Sequence, residues 1–148
     1  MWNFDILLEI LAAFAGTIGY GALFNVRGKK LLFAGLGGMF GWIIYLLLNI
    51  VISNEIICCL IVAIITSAYS EVLARILKTP ATTFYIATLM PLIPGSALYY
   101  SIDAAVGGDM QGFINHISRT VYFAAALSAG IIVANTIARN INPRKIKK

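Results

Sequence analysis

Glu71 stands in the run Ser67-Ala68-Tyr69-Ser70-Glu71-Val72-Leu73-Ala74-Arg75, near one end of a long apolar segment. Ser67, Glu71 and Arg75 recur at four-residue spacing and so share one helical face, which Lys78 extends. A carboxylate so placed can take up a proton or hold a substrate amine. A guanidinium beside it is a two-pronged partner for a carboxylate. Burying such charge in hydrocarbon is costly, so an ionisable residue at membrane depth is a functional hypothesis from the start. The plainer reading is an interfacial Glu–Arg pair that only orients its helix.

The second chemical feature is backbone rather than side chain. Met90-Pro91-Leu92-Ile93-Pro94-Gly95 interrupts another apolar segment. Proline removes a helical hydrogen bond and its ring clashes with the preceding turn. Two prolines and a glycine are expected to unwind the helix near mid-membrane. Irregular backbone survives at that depth only inside protein or along a wet cavity. Transporters use such breaks to offer amides, carbonyls and helix-end dipoles to a substrate. Ser96, Tyr99 and Tyr100 follow the break and supply hydroxyls, while Thr79, Thr82 and Thr83 precede it. The plainer reading is a structural kink.

Other chemistry is excluded. His116, Asp103 and Asp109 are widely spaced loop residues and make no metal or catalytic set, so neither a metal nor a cofactor is expected. The adjacent Cys58 and Cys59 have no metal-ligand spacing and read as packing or lipid-facing residues. There is no nucleotide-binding glycine loop, nucleophile elbow or zinc motif. An enzyme or an ATP-driven pump is therefore not expected.

The elements that must position these residues follow from composition. Of the 148 residues, 60% are apolar and 11% charged, against about 45–50% and about 25% in a soluble domain. A small domain in water could not hide so much apolar side chain. The expectation is an all-α, polytopic membrane protein forming a single transmembrane domain. Five spans are expected, at about 6–24, 31–52, 55–76, 81–102 and 120–138, each near the length that crosses a hydrocarbon core of about 30 Å. The fourth is the one broken at Pro91–Gly95. The start of the chain has two acids, Asp5 and Glu9, and no early Lys or Arg, so the first span reads as retained rather than as a cleaved signal.

The net charge of +5 would raise nucleic acid as a partner in a soluble protein, but here the cations sort by side of a bilayer. Arg27, Lys29 and Lys30 follow span one, Arg75 and Lys78 follow span three, and Arg139, Arg144, Lys145, Lys147 and Lys148 follow span five. Five spans bring all three groups to one face, which the positive-inside rule makes cytoplasmic. The N-terminus is then outside and the C-terminus inside. Asp5, Glu55, Asp103 and Asp109 fall on the outer side with Arg119. An outer loop from about Asp103 to Ser118 is expected, with a short interfacial helix from Met110 to Ile117. The basic tail would sit among anionic headgroups.

Small residues mark packing faces. Gly37 and Gly41 form a GxxxG pair, and Ala126, Gly130, Ala134 and Ala138 recur every four residues. Such stripes let backbones approach closely. They serve packing within the chain or contact with another chain, a second copy included.

The stretch from Ser70 to Phe84, with Glu71, Arg75 and Pro80, and the stretch Pro91-Leu92-Ile93-Pro94-Gly95-Ser96-Ala97-Leu98-Tyr99-Tyr100 resemble the threonine/serine exporter family. The likeness is to the small subunit of its split, two-chain form. That resemblance implies a bacterial inner-membrane exporter working with a larger membrane subunit, for threonine and serine or for dicarboxylates such as succinate. It implies motif positions at Glu71, Arg75, Pro80, Pro91, Pro94, Gly95 and Tyr99. Ser96-Ala97 departs from it, because further glycine is expected there.

The resulting expectation is the membrane subunit of a secondary exporter of small carboxylate-bearing metabolites. Arg75 would attract the carboxylate, the Pro91–Gly95 break would offer backbone groups, and Glu71 would couple a proton. The alternatives are a non-transporting assembly or stabilising subunit and a homo-oligomeric small-solute channel.

Overall fold

The computed structural model describes residues 2–141. The basic tail expected at the membrane face lies largely outside them. Among the described residues the structure is all helical, with α1 at Trp2–Leu23, α2 at Lys29–Val51, α3 at Glu55–Ile76, α4 at Ala81–Thr88, α5 at Gly95–Val106 and α6 at Met110–Ile141. A 3-10 turn at Met90–Leu92 joins α4 to α5. Four helices, α1, α2, α3 and α6, are long and apolar enough to cross a membrane. The interrupted α4–α5 segment is the remaining apolar stretch.

Helix ends follow local chemistry. α3 starts at Asn54, whose side chain accepts from the amides of Ile56 and Ile57 at 3.0 and 3.3 Å. It ends with Lys78 in the left-handed region (φ 48) and Thr79 N–H donating to the Ala74 carbonyl at 3.0 Å, a Schellman closure. α1 ends the same way at Asn25 (φ 60), with Val26 N–H donating to Gly21 at 2.9 Å.

The glycine face of α2 sets the bundle. A side chain at Gly38 would run into Thr17 of α1, and one at Gly37 into Tyr69 of α3 and Thr88 of α4. A Cβ at Gly41 would come within 2.6 Å of Thr66. α2 is thus clamped between α1 and the α3–α4 pair. On the far side of α3, Gly130 of α6 lies against Ala63, where a Cβ would approach to 2.6 Å. Ala126 and Ala134 are buried on the same α6 face. The Gly37/Gly41 pair and the Ala126/Gly130/Ala134 stripe are both used in contacts within this chain.

With α4, the turn and α5 taken as one segment, successive elements alternate in direction, and this gathers Arg27, Lys29, Lys30, Arg75, Lys78 and Arg139 at one end, called here the basic end. Glu55, Asp103, Asp109 and Arg119 lie toward the other, the acidic end.

One expectation changes here. The region from Asp103 to Ser118 is not a loop with a separate short helix. α5 continues to Val106, Gly107–Asp109 make a tight turn with Gly108 at φ +76, and α6 runs unbroken for 32 residues. Asp109 accepts from Gly112 N–H at 3.0 Å and starts α6. No proline follows to stop it, so the helix that carries the apolar stretch 120–138 begins at Met110. At 1.5 Å per residue, α6 is about 48 Å long and exceeds a hydrocarbon core of about 30 Å. Its first part pairs with α5 as a helical hairpin that overruns the start of α3.

α4 has eight residues and rises about 12 Å, and the 3-10 turn adds about 6 Å. The break therefore falls about halfway along the 22-residue α3, which is about 33 Å long. Within it, i to i−3 bonds replace the helical ladder: Leu92 N–H donates to Leu89 at 3.0 Å and Ile93 N–H to Met90 at 3.2 Å.

Candidate functional site

α3 and α4 form an antiparallel hairpin about the turn at 77–80. Residues equidistant from that turn come side by side. Ser70 and Thr88 therefore meet, with hydroxyl oxygens 3.0 Å apart, in a fully buried pair. One register further toward the basic end, Tyr85 O–H donates to Glu71 Oε1 at 2.8 Å. Arg75 Nε stands 3.8 Å from Glu71 Oε2, and Arg75 Nη2 donates to the Ala138 carbonyl of α6 at 2.6 Å. The Glu71 side chain is only 13% exposed, against 35% for Arg75. The carboxylate is thus held inside the bundle by a phenol and faced by a guanidinium nearer its edge.

Two depressions reach this cluster. One, of about 210 Å³, lies between α3 and α6 and is lined by Glu71, Arg75, Ala134 and Ala138. The other, about 450 Å³, opens at the basic end among Arg75, Lys78, Thr79 and Pro80. A small anion entering there meets Lys78 and Arg75 before Glu71. Ser67, one turn deeper on the same α3 face, is fully buried and its hydroxyl has no hydrogen-bond partner among the described residues.

The proline break does not belong to this cluster. Pro91, Pro94 and Ser96 line a separate cavity of about 150 Å³ with Trp42, Glu55, Arg119 and Phe123. Glu55 starts α3 and Glu71 lies sixteen residues on, about 24 Å along the helix axis. Arg119 of α6 forms an ion pair with Glu55 across the mouth of this cavity, and its guanidinium sits 5.9 Å above the Phe123 ring. Trp42 stacks on Tyr45 at 5.2 Å, and its buried indole N–H has no partner among the described residues. Trp42 and Pro91 also line an adjoining groove with Glu9.

The structure therefore divides the residues singled out from sequence. Glu71, Arg75 and Ser67 occupy the α3 face toward the basic end. Pro91, Pro94 and Ser96 border the acidic-end cavity. Gly95 has open space where a side chain would go, so it starts α5 without being required by close packing. Tyr99 is 65% exposed, packs edge-on against Tyr100, and does not line the cavity.

Tyr85, Glu55, Arg119, Trp42 and Glu9 complete these two regions and were not singled out from sequence. The mirror positions of Glu71 and Tyr85 about residue 78 were a usable signal for the first. Glu9 carried the general signal of an acid inside an apolar span. Glu55 and Arg119 are 64 residues apart, and no local pattern joins them.

Residues 9–137 match the family described as Threonine/Serine exporter, ThrE. The chain belongs to the threonine/serine exporter family. The match covers every helix described above, apart from the start of α1 and the end of α6. It agrees with the family resemblance of the Glu71–Tyr100 stretch, and it makes the protein a multi-pass membrane component of this exporter family. No match was found among curated proteins or among solved structures.

Proposed function

We propose that this chain is the membrane subunit of a secondary exporter for small carboxylate-bearing metabolites, threonine and serine or a dicarboxylate such as succinate. It works with a larger membrane subunit in the bacterial inner membrane. In this reading the chain crosses five times, the α4–turn–α5 segment being the fourth crossing, with the basic end in the cytoplasm and the N-terminus outside. No cofactor or metal takes part.

The observation that carries the reading is the Glu71 cluster in a chain of this family. Export begins at the basic end, where Lys78 and Arg75 draw the substrate carboxylate into the open depression. Arg75 exchanges the Ala138 carbonyl for that carboxylate, a stronger acceptor for a planar guanidinium. Sharing Arg75 with the substrate carboxylate weakens the guanidinium's pull on Glu71, which can then take up a proton. Protonation weakens its hold on Arg75 and links proton movement to substrate passage. The broken segment supports passage toward the far side by offering amides and carbonyls outside the helical ladder.

The test is metabolite export driven by an imposed proton gradient. A Glu71→Gln variant is expected to lose gradient-driven export by more than about tenfold, in line with loss of a proton-transferring group. Full export by that variant would remove Glu71 from the coupling role. Export by this chain without any larger subunit would remove the two-chain assembly.

A further inference from the structure

The acidic-end cavity carries features that proton coupling at Glu71 leaves unexplained. It holds one carboxylate, Glu55, and one guanidinium, Arg119, on two different helices, and both are about half exposed at its mouth. The N-terminus of α5 forms another wall. Gly95 N–H and Leu98 N–H are bonded, but the amides of Ser96 and Ala97 have no acceptor among the described residues. Unpaired amides at a helix start, together with the helix dipole, favour an anionic group. Half-buried Trp42 adds a buried indole N–H that has no partner among the described residues. At about 150 Å³ the cavity is smaller than the roughly 300–1,000 Å³ of sites for drug-sized ligands. That size suits one small metabolite.

We propose that this cavity is a second, release-side binding site for an α-amino acid zwitterion. Arg119 and the free amides of Ser96 and Ala97 hold the carboxylate, and Glu55 holds the ammonium. The Glu55–Arg119 ion pair is the same charge pattern closed on itself. A zwitterion replaces each partner with a like-charged group and leaves no charge unpaired. A dicarboxylate cannot do this, because its second carboxylate would face Glu55. The site therefore selects amino acids over dicarboxylates. It rests on the exporter reading for its physiological use, but ligand binding there is measurable without transport.

The chain has two tryptophans, so Trp2→Phe leaves Trp42 as the sole indole reporter in this cavity. The full-length Trp2→Phe protein in nanodiscs is titrated with L-threonine and with succinate while Trp42 emission is followed. A saturable change with L-threonine and none with succinate is expected. Glu55→Gln and Arg119→Gln are each expected to raise the Kd at least tenfold with unchanged helical circular dichroism. Absence of a threonine response, a Kd left unchanged by both substitutions, or a preference for succinate would each overturn the site. Threonine release from intact cells separates this from the exporter reading. Release with a silent Trp42 removes only the site. Saturable binding without release removes only the exporter reading.

Discussion

At the scale of single residues, the protein places one carboxylate where its surroundings define its use. Glu71 is nearly buried, accepts from Tyr85 and faces Arg75. Removing the phenol deletes one hydrogen bond to a charged acceptor, worth about 1.5–3 kcal/mol at most in a protein interior. In membranes, side-chain hydrogen bonds between helices average nearer about 0.6 kcal/mol. Tyr85→Phe is thus expected to leave the fold intact and to lower the melting temperature in detergent only slightly. Because it frees Glu71 to rotate toward solvent, export is expected to fall several-fold while Glu71→Gln remains the more severe change. Parallel export assays on the two variants check this ranking. Glu71 and Arg75 were legible from spacing alone, because four-residue separation needs no knowledge of tertiary structure. Tyr85 required the hairpin register.

At the scale of elements, the two exceptional helices are exceptional for different reasons. α2 carries glycines because side chains from both flanks occupy the space their Cβ atoms would need. Gly37→Ala would press on Tyr69 and Thr88 and is expected to cost about 1–3 kcal/mol, the usual range for overpacking. Gly16→Ala, where nothing lies within 4 Å, is the matched control and is expected to be neutral or slightly stabilising. Thermal melts of the two variants in detergent make the comparison. The α4–α5 break has another origin, the missing amides of Pro91 and Pro94. Proline in a helix interior costs about 3 kcal/mol. The double change Pro91→Ala/Pro94→Ala is therefore expected to let α4 and α5 join. That would turn Ser96 and Ala97 away from the cavity. Helical content by circular dichroism should rise, and export should drop more than about tenfold, as expected when a substrate-positioning element moves by an ångström or more.

At the scale of the whole molecule, alternate helix directions sort the charges to opposite ends. The five-crossing reading sets the basic end in the cytoplasm. Both cysteines are buried and free, so a background with Cys58→Ala and Cys59→Ala is suited to single-cysteine labelling. Asp103→Cys is expected to react with a membrane-impermeant maleimide in intact cells. Lys78→Cys is expected to react only after permeabilisation. Labelling of both positions from the same side would exclude an odd number of crossings between them. The long α6 bears on the same question. Arg119 pairs with Glu55 nine residues after α6 begins, so roughly 14 Å of α6 and the facing α5 extend past the start of α3. This hairpin carries Tyr99, Tyr100 and His116, with the Tyr100 and His116 rings 5.7 Å apart. Such amphipathic rings suit the interfacial zone of a bilayer.

The amino-acid sequence by itself determined the class of protein, the positions of α1, α2 and α3 and the existence of a broken helix. These depend on local properties: apolar run length, proline chemistry and asparagine or glycine at helix ends. It also placed Glu71 and Arg75 on one face. The tertiary structure decided how far each element reaches and which residues share a cavity. Nothing local stops α6 at Ile117, so its length became clear only once its pairing with α3 and α5 was seen. Glu71 and the Pro91–Gly95 break lie on consecutive helices, yet they open toward opposite ends of the bundle. The reason is that α4 carries the chain about 12 Å from the basic end before it breaks, and the 3-10 turn and α5 then run on toward the acidic end. That climb separates a carboxylate cluster at the basic end from a zwitterion-sized cavity at the acidic end.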